Sequence, residues 1–232
     1  DSIDYAVMEK TADAVVVPLG VQAEDFTAAF PAIARFTNFN GALITMPHKV
    51  SVVGMLDRVS TAVKIAGSCN AVRRGGDGAL EGDMFDGEGF VRGVRRKGQA
   101  LEGARVLVVG AGGVGSAIAA SLAAARVAAI SLYDVYAPSA EGLARRLKAH
   151  YPQLVVATGS NDPDGCDIVV NATPLGMNAG DPMPMDMTRI KPATFVGEVV
   201  MKEERTAFLQ AAEAIGCRVQ VGVDMLFEQI PA

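Results

Sequence analysis

Gly110-Ala111-Gly112-Gly113-Val114-Gly115 fits the pattern G-x-G-x-x-G. The pattern is weak alone and gains meaning from its flanks. Ala104–Val109 before it is a short apolar run of buried-strand type, and a small-residue helix is expected from about Val114 to Arg126. At such a turn the first glycine permits the tight bend, the second lets backbone approach a pyrophosphate, and the third lets the helix lie on the strand. Free amides at the helix N-terminus would face the phosphates. Gly110, Gly112, Gly113, Val114 and Gly115 are therefore candidate dinucleotide contacts, with a purely structural glycine turn as the alternative. Asp134 follows Gly115 by 19 positions, where a second strand should end. A carboxylate there accepts hydrogen bonds from the adenosine ribose and repels a 2′-phosphate. Val135-Tyr136-Ala137 offers no arginine to hold such a phosphate, so NAD is favoured over NADP. The alternative is that Asp134 only caps the next helix.

Metal chemistry finds no support. The two histidines, His48 and His150, and the three cysteines, Cys69, Cys166 and Cys217, have no ligand spacing. The odd, scattered cysteines read as reduced thiols of a cytoplasmic protein. The formal net charge of -5 gives no footprint for nucleic acid. No apolar run reaches the roughly 18–20 residues of a membrane span, and Asp1-Ser2-Ile3-Asp4 has no signal-peptide character. A small-molecule partner and a monomer or homodimer are expected.

The elements that must position these residues alternate along the chain. In the second half, strands are expected at Ala128–Tyr133, Leu154–Ala157, Asp167–Val170, Thr194–Gly197 and Arg218–Val221, with helices at Ser139–His150 and Glu203–Ile215. In the first half, Ala14–Pro18 and Gly41–Thr45 read as strands. Helices are expected at Ala23–Arg35, bent at Pro31, and at His48–Leu56 and Ser60–Ala66. Asn70–Arg74 and Ala79–Gly82 flank a hairpin turn at Gly75–Gly78, and a further helix starts near Asp86. Arg95-Arg96-Lys97 falls at that helix's end, where a solvated basic cluster suits the dipole. The expected fold class is α/β: an N-terminal α/β substrate domain over residues 1–98 and a C-terminal Rossmann-type dinucleotide-binding domain over 99–232.

Several segments together resemble the shikimate/quinate dehydrogenase family. Gly41–Lys49 is similar to that family's G-x-N-V-T-x-P-x-K, Ala66–Asn70 to its A-G-A-x-N, and Gly82–Phe90 to its G-x-N-T-D-G-x-G-F. Asn171–Met177 is similar to N-A-T-P-x-G-M, and Gly222–Gln229 to G-x-x-M-L-x-x-Q. The resemblance implies that Lys49 and Asp86 are the catalytic pair and that Thr45, Asn70 and Gln229 touch substrate. It implies that Asn171, Thr173, Gly222 and Met225 line the cofactor. The departures are Leu43 for the family's asparagine, Met84-Phe85 for its N-T, Ala71 for a threonine, and Met201 for the tyrosine of D-x-x-Y, which here reads Glu198-Val-Val-Met201. They imply a less polar pocket.

Oxidising a secondary alcohol requires a group that takes the hydroxyl proton, a fixed geometry and exclusion of water. Lys49 and Asp86 would share the proton as a coupled pair, and sequence leaves open which of them carries it. His48 is read as structural. Three functions remain: a shikimate- or quinate-like dehydrogenase, a dehydrogenase of a less polar alcohol, and a catalytically idle NAD-binding sensor. The last has no use for both Lys49 and Asp86.

Overall fold

The computed structural model describes residues 17–229. Two sheets organise it. The smaller has four strands in the order β1-β3-β4-β2, with β1 at Gly41–Leu43, β2 at Arg58–Val59, β3 at Ala71–Arg74 and β4 at Leu80–Asp83. The larger has six parallel strands in the order β10-β9-β8-β5-β6-β7. These are β5 at Arg105–Val109, β6 at Ala129–Tyr133, β7 at Val155–Thr158, β8 at Ile168–Asn171, β9 at Phe195–Glu198 and β10 at Arg218–Gln220. Sequence order reverses between β5 and β8, and this switch point is where doubly wound sheets open a crevice for a ligand. β5 and β8 bury nearly all their side chains, as a parallel sheet covered on both faces requires.

The helices are α1 at Phe26–Ile33, α2 at Thr61–Ala66, α3 at Asp86–Arg96, α4 at Gly113–Ala124, α5 at Ala137–His150, α6 at Ala207–Ile215 and α7 at Gly222–Phe227. Short α2 is fixed at both ends. Ser60 Oγ accepts from Val63 N at 3.3 Å, and Gly67 closes the helix at φ 70°. The expected helix at 48–56 is instead a run of turns followed by a 3-10 segment at Ser51–Met55. Lys49 gives its carbonyl to Cys69 N at 2.8 Å, a partner twenty positions on, so it does not serve the next helical turn. α6 starts at Ala207, later than the expected Glu203, because Thr206 caps it by accepting from Leu209 N. α1 is shorter than its expected span and holds Pro31 inside it. Of the strand expected at 14–18, residues 14–16 lie outside the described residues, and Val17-Pro18 has no regular structure. Met84 is 2 % exposed in the core under the smaller sheet, so this departure does not make the pocket less polar.

α3 joins the two halves. It enters from β4 of the smaller sheet, yet packs on α4 and α7. Glycines make the approach close. A Cβ on Gly87 would stand 2.0 Å from Ala117 O, and one on Gly89 would stand 2.2 Å from Met225 O. α2 also rests on α4 and α5, where Arg146 Nε donates to Ile65 O at 2.5 Å. Adding a methyl where backbone already touches backbone forces two helices apart. Gly87→Ala is therefore expected to destabilise the fold by about 1–3 kcal/mol, the usual range for overpacking. Urea unfolding followed by circular dichroism measures this, and an unchanged midpoint would mean that α3 and α4 slide freely.

Candidate active site

Asp86 opens α3 and is 4 % exposed. A carboxylate at a helix N-terminus is favoured by the dipole, but one this buried needs partners. Three chain segments supply them. Lys49 Nζ lies 2.7 Å from Oδ2, while Asn70 Nδ2 at 2.9 Å and Gln229 Nε2 at 3.2 Å donate to Oδ1. Asn70 accepts from Phe85 N at 2.9 Å through its own Oδ1, so one amide fixes both the carboxylate and the backbone just before it. Gln229 Oε1 lies 3.4 Å from Asn70 Nδ2 and completes the cluster. Four of the five residues expected at the reacting centre therefore converge. Thr45 is exposed, and its backbone carbonyl holds His48 N at 3.0 Å. His48 Nε2 is 2.9 Å from Val21 O and its ring stacks on Phe26 at 4.0 Å, so it braces α1.

The glycine-rich turn lies across the switch point. Gly110 adopts φ 101°, and a Cβ there would stand 2.6 Å from Ala172 O. A Cβ on Gly115 would stand 2.0 Å from Gly110 O, so the strand and helix require both glycines. Gly112 precedes α4 without a capping side chain, and a Cβ there would meet nothing within 4 Å. Open space over uncapped amides suits a pyrophosphate. Asp134 Oδ2 accepts from Ala111 N at 2.7 Å and Oδ1 from Tyr136 N at 2.9 Å. The carboxylate thus ties the glycine turn to the end of β6, and each oxygen keeps a lone pair for a ribose hydroxyl.

Asn171 ends β8 fully buried. Its Nδ2 donates to Leu175 O at 2.9 Å, and its Oδ1 receives Thr173 N and Oγ1 at 3.1 and 2.6 Å. It folds the following loop, so a cofactor would meet that loop and not the Asn171 side chain. Met225 is likewise a core residue at 4 % exposure, which departs from the expected lining role. Gly222 begins α7 tight against Val200 O. Among the described residues, no group of three His, Cys, Asp or Glu side chains could hold a metal ion, and no helix is long and apolar enough to cross a membrane. All three cysteines are free.

Residues 3–72 match the family model described as the shikimate dehydrogenase substrate binding domain. The chain is 36% identical over 219 residues to the shikimate dehydrogenase (NADP(+)) of Rubrobacter xylanophilus, covering 93% of this chain and 77% of that one. The chain belongs to the shikimate/quinate dehydrogenase family. It is also 36% identical, over 201 residues, to the quinate/shikimate dehydrogenase (NAD(+)) of Corynebacterium efficiens, covering 84% of this chain and 71% of that one. Among solved structures, the quinate dehydrogenase of Corynebacterium glutamicum in complex with NAD superposes with a TM-score of 0.76 at 32% identity, covering 87% of this chain and 73% of that one. The Lys49, Asn70, Asp86 and Gln229 cluster falls on residues of the family motifs.

Sequence reasoning missed Glu198, which ends β9 beside Asn171, is fully buried and has no salt bridge among the described residues. Thr206 Oγ1 lies 2.9 Å from both carboxyl oxygens. Burial pushes the acid from 4.5 up to about 7 against the opposing hydrogen bonds from Thr206 and Asn171. The available signal was a carboxylate closing an apolar strand, at the family's D-x-x-Y. Because the folded protein holds the proton more tightly than the unfolded chain, this group stabilises the fold most below its unfolded value. Stability then falls as pH rises from 4.5 to about 7 and levels off beyond. Urea midpoints are expected to drop between roughly pH 4.5 and pH 7, and Glu198→Gln is expected to flatten that drop. Equal slopes in both proteins would show that Glu198 is ionised throughout.

Proposed function

We propose that this chain is a nicotinamide-dependent dehydrogenase interconverting a secondary alcohol and a ketone on a small cyclic hydroxy acid of the shikimate or quinate class. The observation that carries this reading is the Lys49–Asp86 pair at 2.7 Å, braced by Asn70 and Gln229. When bound, the nicotinamide supplies the hydride acceptor. The protein's own residues do the rest. Lys49 and Asp86 hold the hydroxyl and move its proton, Asn70 and Gln229 fix its orientation, and Thr45 stands at the rim. Gly110, Gly112, Gly113, Val114 and Gly115 cradle the pyrophosphate. Asp134 takes the ribose, the loop after Asn171 with Thr173 borders the cofactor, and Gly222 flanks the nicotinamide. The division near residue 98 into a substrate half and a dinucleotide half belongs to the same reading, as do a cytoplasmic setting and action as a monomer or homodimer.

A less polar substrate is the second reading. Leu43 and Met201 stand where the family has asparagine and tyrosine, and they are 60% and 49% exposed, so both remain available to a ligand. An idle sensor is disfavoured by the intact ion pair.

Two outcomes are expected. Lys49→Met removes the proton-transfer partner while leaving the glycine turn untouched. Turnover should fall by about 10²–10⁴-fold, the range for a general acid/base, with dinucleotide affinity within about twofold. Steady-state rates with shikimate and quinate, together with calorimetry, measure both. A variant keeping over about a third of the activity would sink the assignment. For cofactor choice, NAD should bind more tightly than NADP, and Asp134→Asn should narrow the gap by removing repulsion of a 2′-phosphate. Equal affinities in the unaltered chain would mean that Asp134 serves only the Ala111 turn.

A further inference from the structure

The basic end of α3 is solvent-facing, as its sequence suggests, and two of its cations also reach carboxylates of the chain's end. Arg96 Nη2 lies 3.2 Å from Asp224 Oδ1, and Arg96 Nε lies 2.7 Å from Glu228 Oε1. Lys97 Nζ lies 3.0 Å from Asp224 Oδ2. The two carboxylates are only 14% and 17% exposed, while the Arg96 side chain is 58% and Lys97 33% exposed, so the pairs reach from partly shielded anions out to solvated cations. Asp224 also accepts from Val221 N at 3.3 Å, capping α7 while it binds α3. Glu228 directly precedes Gln229, whose amide reaches Asp86 at the opposite end of α3.

We propose that Arg96 and Lys97 with Asp224 and Glu228 form a positioning clamp. It sets the register of α7 along α3 and so holds the Gln229 amide on the Asp86 carboxylate. The proposal rests on Asp86 being at the reacting centre. Its physical reason lies in the rest of the α3–α7 contact. Between the clamp and Asp86, α7 meets α3 at a glycine: a Cβ on Gly89 would stand 2.2 Å from Met225 O and 2.7 Å from Gln229 Cγ. The glycine allows close approach, and the apolar side chains in the core beside it, Phe90, Val94 and Met225, contribute burial that is not directional. α7 has six residues, too few to hold its own geometry, since isolated helices shorter than roughly 12 residues are marginal. Directional ion pairs from Arg96 and the C-cap Lys97 of α3 to Asp224 and the C-cap Glu228 of α7 supply the stop to sliding. The neighbouring Arg95 is exposed and has no salt bridge among the described residues, which makes it an internal control.

The test compares Arg96→Gln, Glu228→Gln, the control Arg95→Gln and the double swap Arg96→Glu/Glu228→Arg in the whole chain. Two readouts are taken: the ¹H–¹⁵N side-chain amide signal of Gln229, which needs no turnover, and kcat with KM for shikimate or quinate. Arg96→Gln and Glu228→Gln should move the Gln229 signal to the free-amide position. They should lower kcat by up to about fivefold, the effect of losing one partly exposed pair, with KM for the dinucleotide unchanged. Arg95→Gln should change neither, and the swap should recover at least half the loss. Salt at about 1 M, where screening falls to roughly 3 Å, should move the same signal in the unaltered chain even where a variant fails to fold. A Gln229 signal and kcat in Glu228→Gln that match Arg95→Gln overturn the clamp, as does a swap that recovers nothing. A signal that moves as expected in a chain that turns over neither substrate keeps the clamp and removes the assigned reaction.

Discussion

A carboxylate withdrawn from water must be given donors, and Asp86 draws three of them from three parts of the chain. Lys49 comes from a turn after β1, Asn70 from the turn between α2 and β3, and Gln229 from the residue next to α7's last cap. No single segment could supply all of these, so both sheets must be built and docked before the ionised side chain is satisfied. The same group that could do chemistry is thus the group whose burial obliges the two halves to meet. Removing one donor leaves a buried charge under-compensated, which is why the brace around it is dense.

Docking at that distance is a backbone problem. α3 meets Ala117 O through Gly87 and Met225 O through Gly89, so helix backbones touch where side chains would usually intervene. Gly110 and Gly115 do the same between β5, α4 and the loop after β8. The glycines of both motifs therefore act alike, removing bulk where one element must pass close to another. Small-residue faces carry little directional information, and polar side chains supply it: Asn70 at Phe85, Asp134 at Ala111, Asn171 at its own loop.

Much of this was readable from residue order. The strands of the larger sheet are short apolar runs, buried throughout in β8 and after Arg105 in β5, and the helix after Gly112 is made mostly of small residues, so type and place followed from local pattern. The resemblance brought Lys49, Asn70, Asp86 and Gln229 together, and the structure joins them. What escaped depends on partners distant in sequence. The turn at Lys49 is decided by Cys69 N. The start of α6 is decided by Thr206, which serves Glu198 as well as its helix. Met84 looked like a pocket residue by motif position, yet the alternation of β4 continues into it and turns it to the core. The ion pairs of Arg96 and Lys97 escaped because their anions lie over a hundred residues on.

Asp134 and Asn171 illustrate how one polar residue can organise the backbone around a candidate ligand site. Each ends a strand beside the switch point, and each spends hydrogen bonds on nearby backbone. A carboxylate at Asp134 that already organises the glycine turn would, in the proposed role, present a ribose with a rigid acceptor and leave little to order on binding. The same rigidity would sharpen discrimination in that role, because a carboxylate held by two amides has less freedom to swing away from a 2′-phosphate. Cofactor preference would then depend on how firmly the turn is built as well as on the charge itself. A neutral asparagine at 134 would alter both properties together, since it offers one acceptor oxygen where the aspartate offers two to Ala111 and Tyr136.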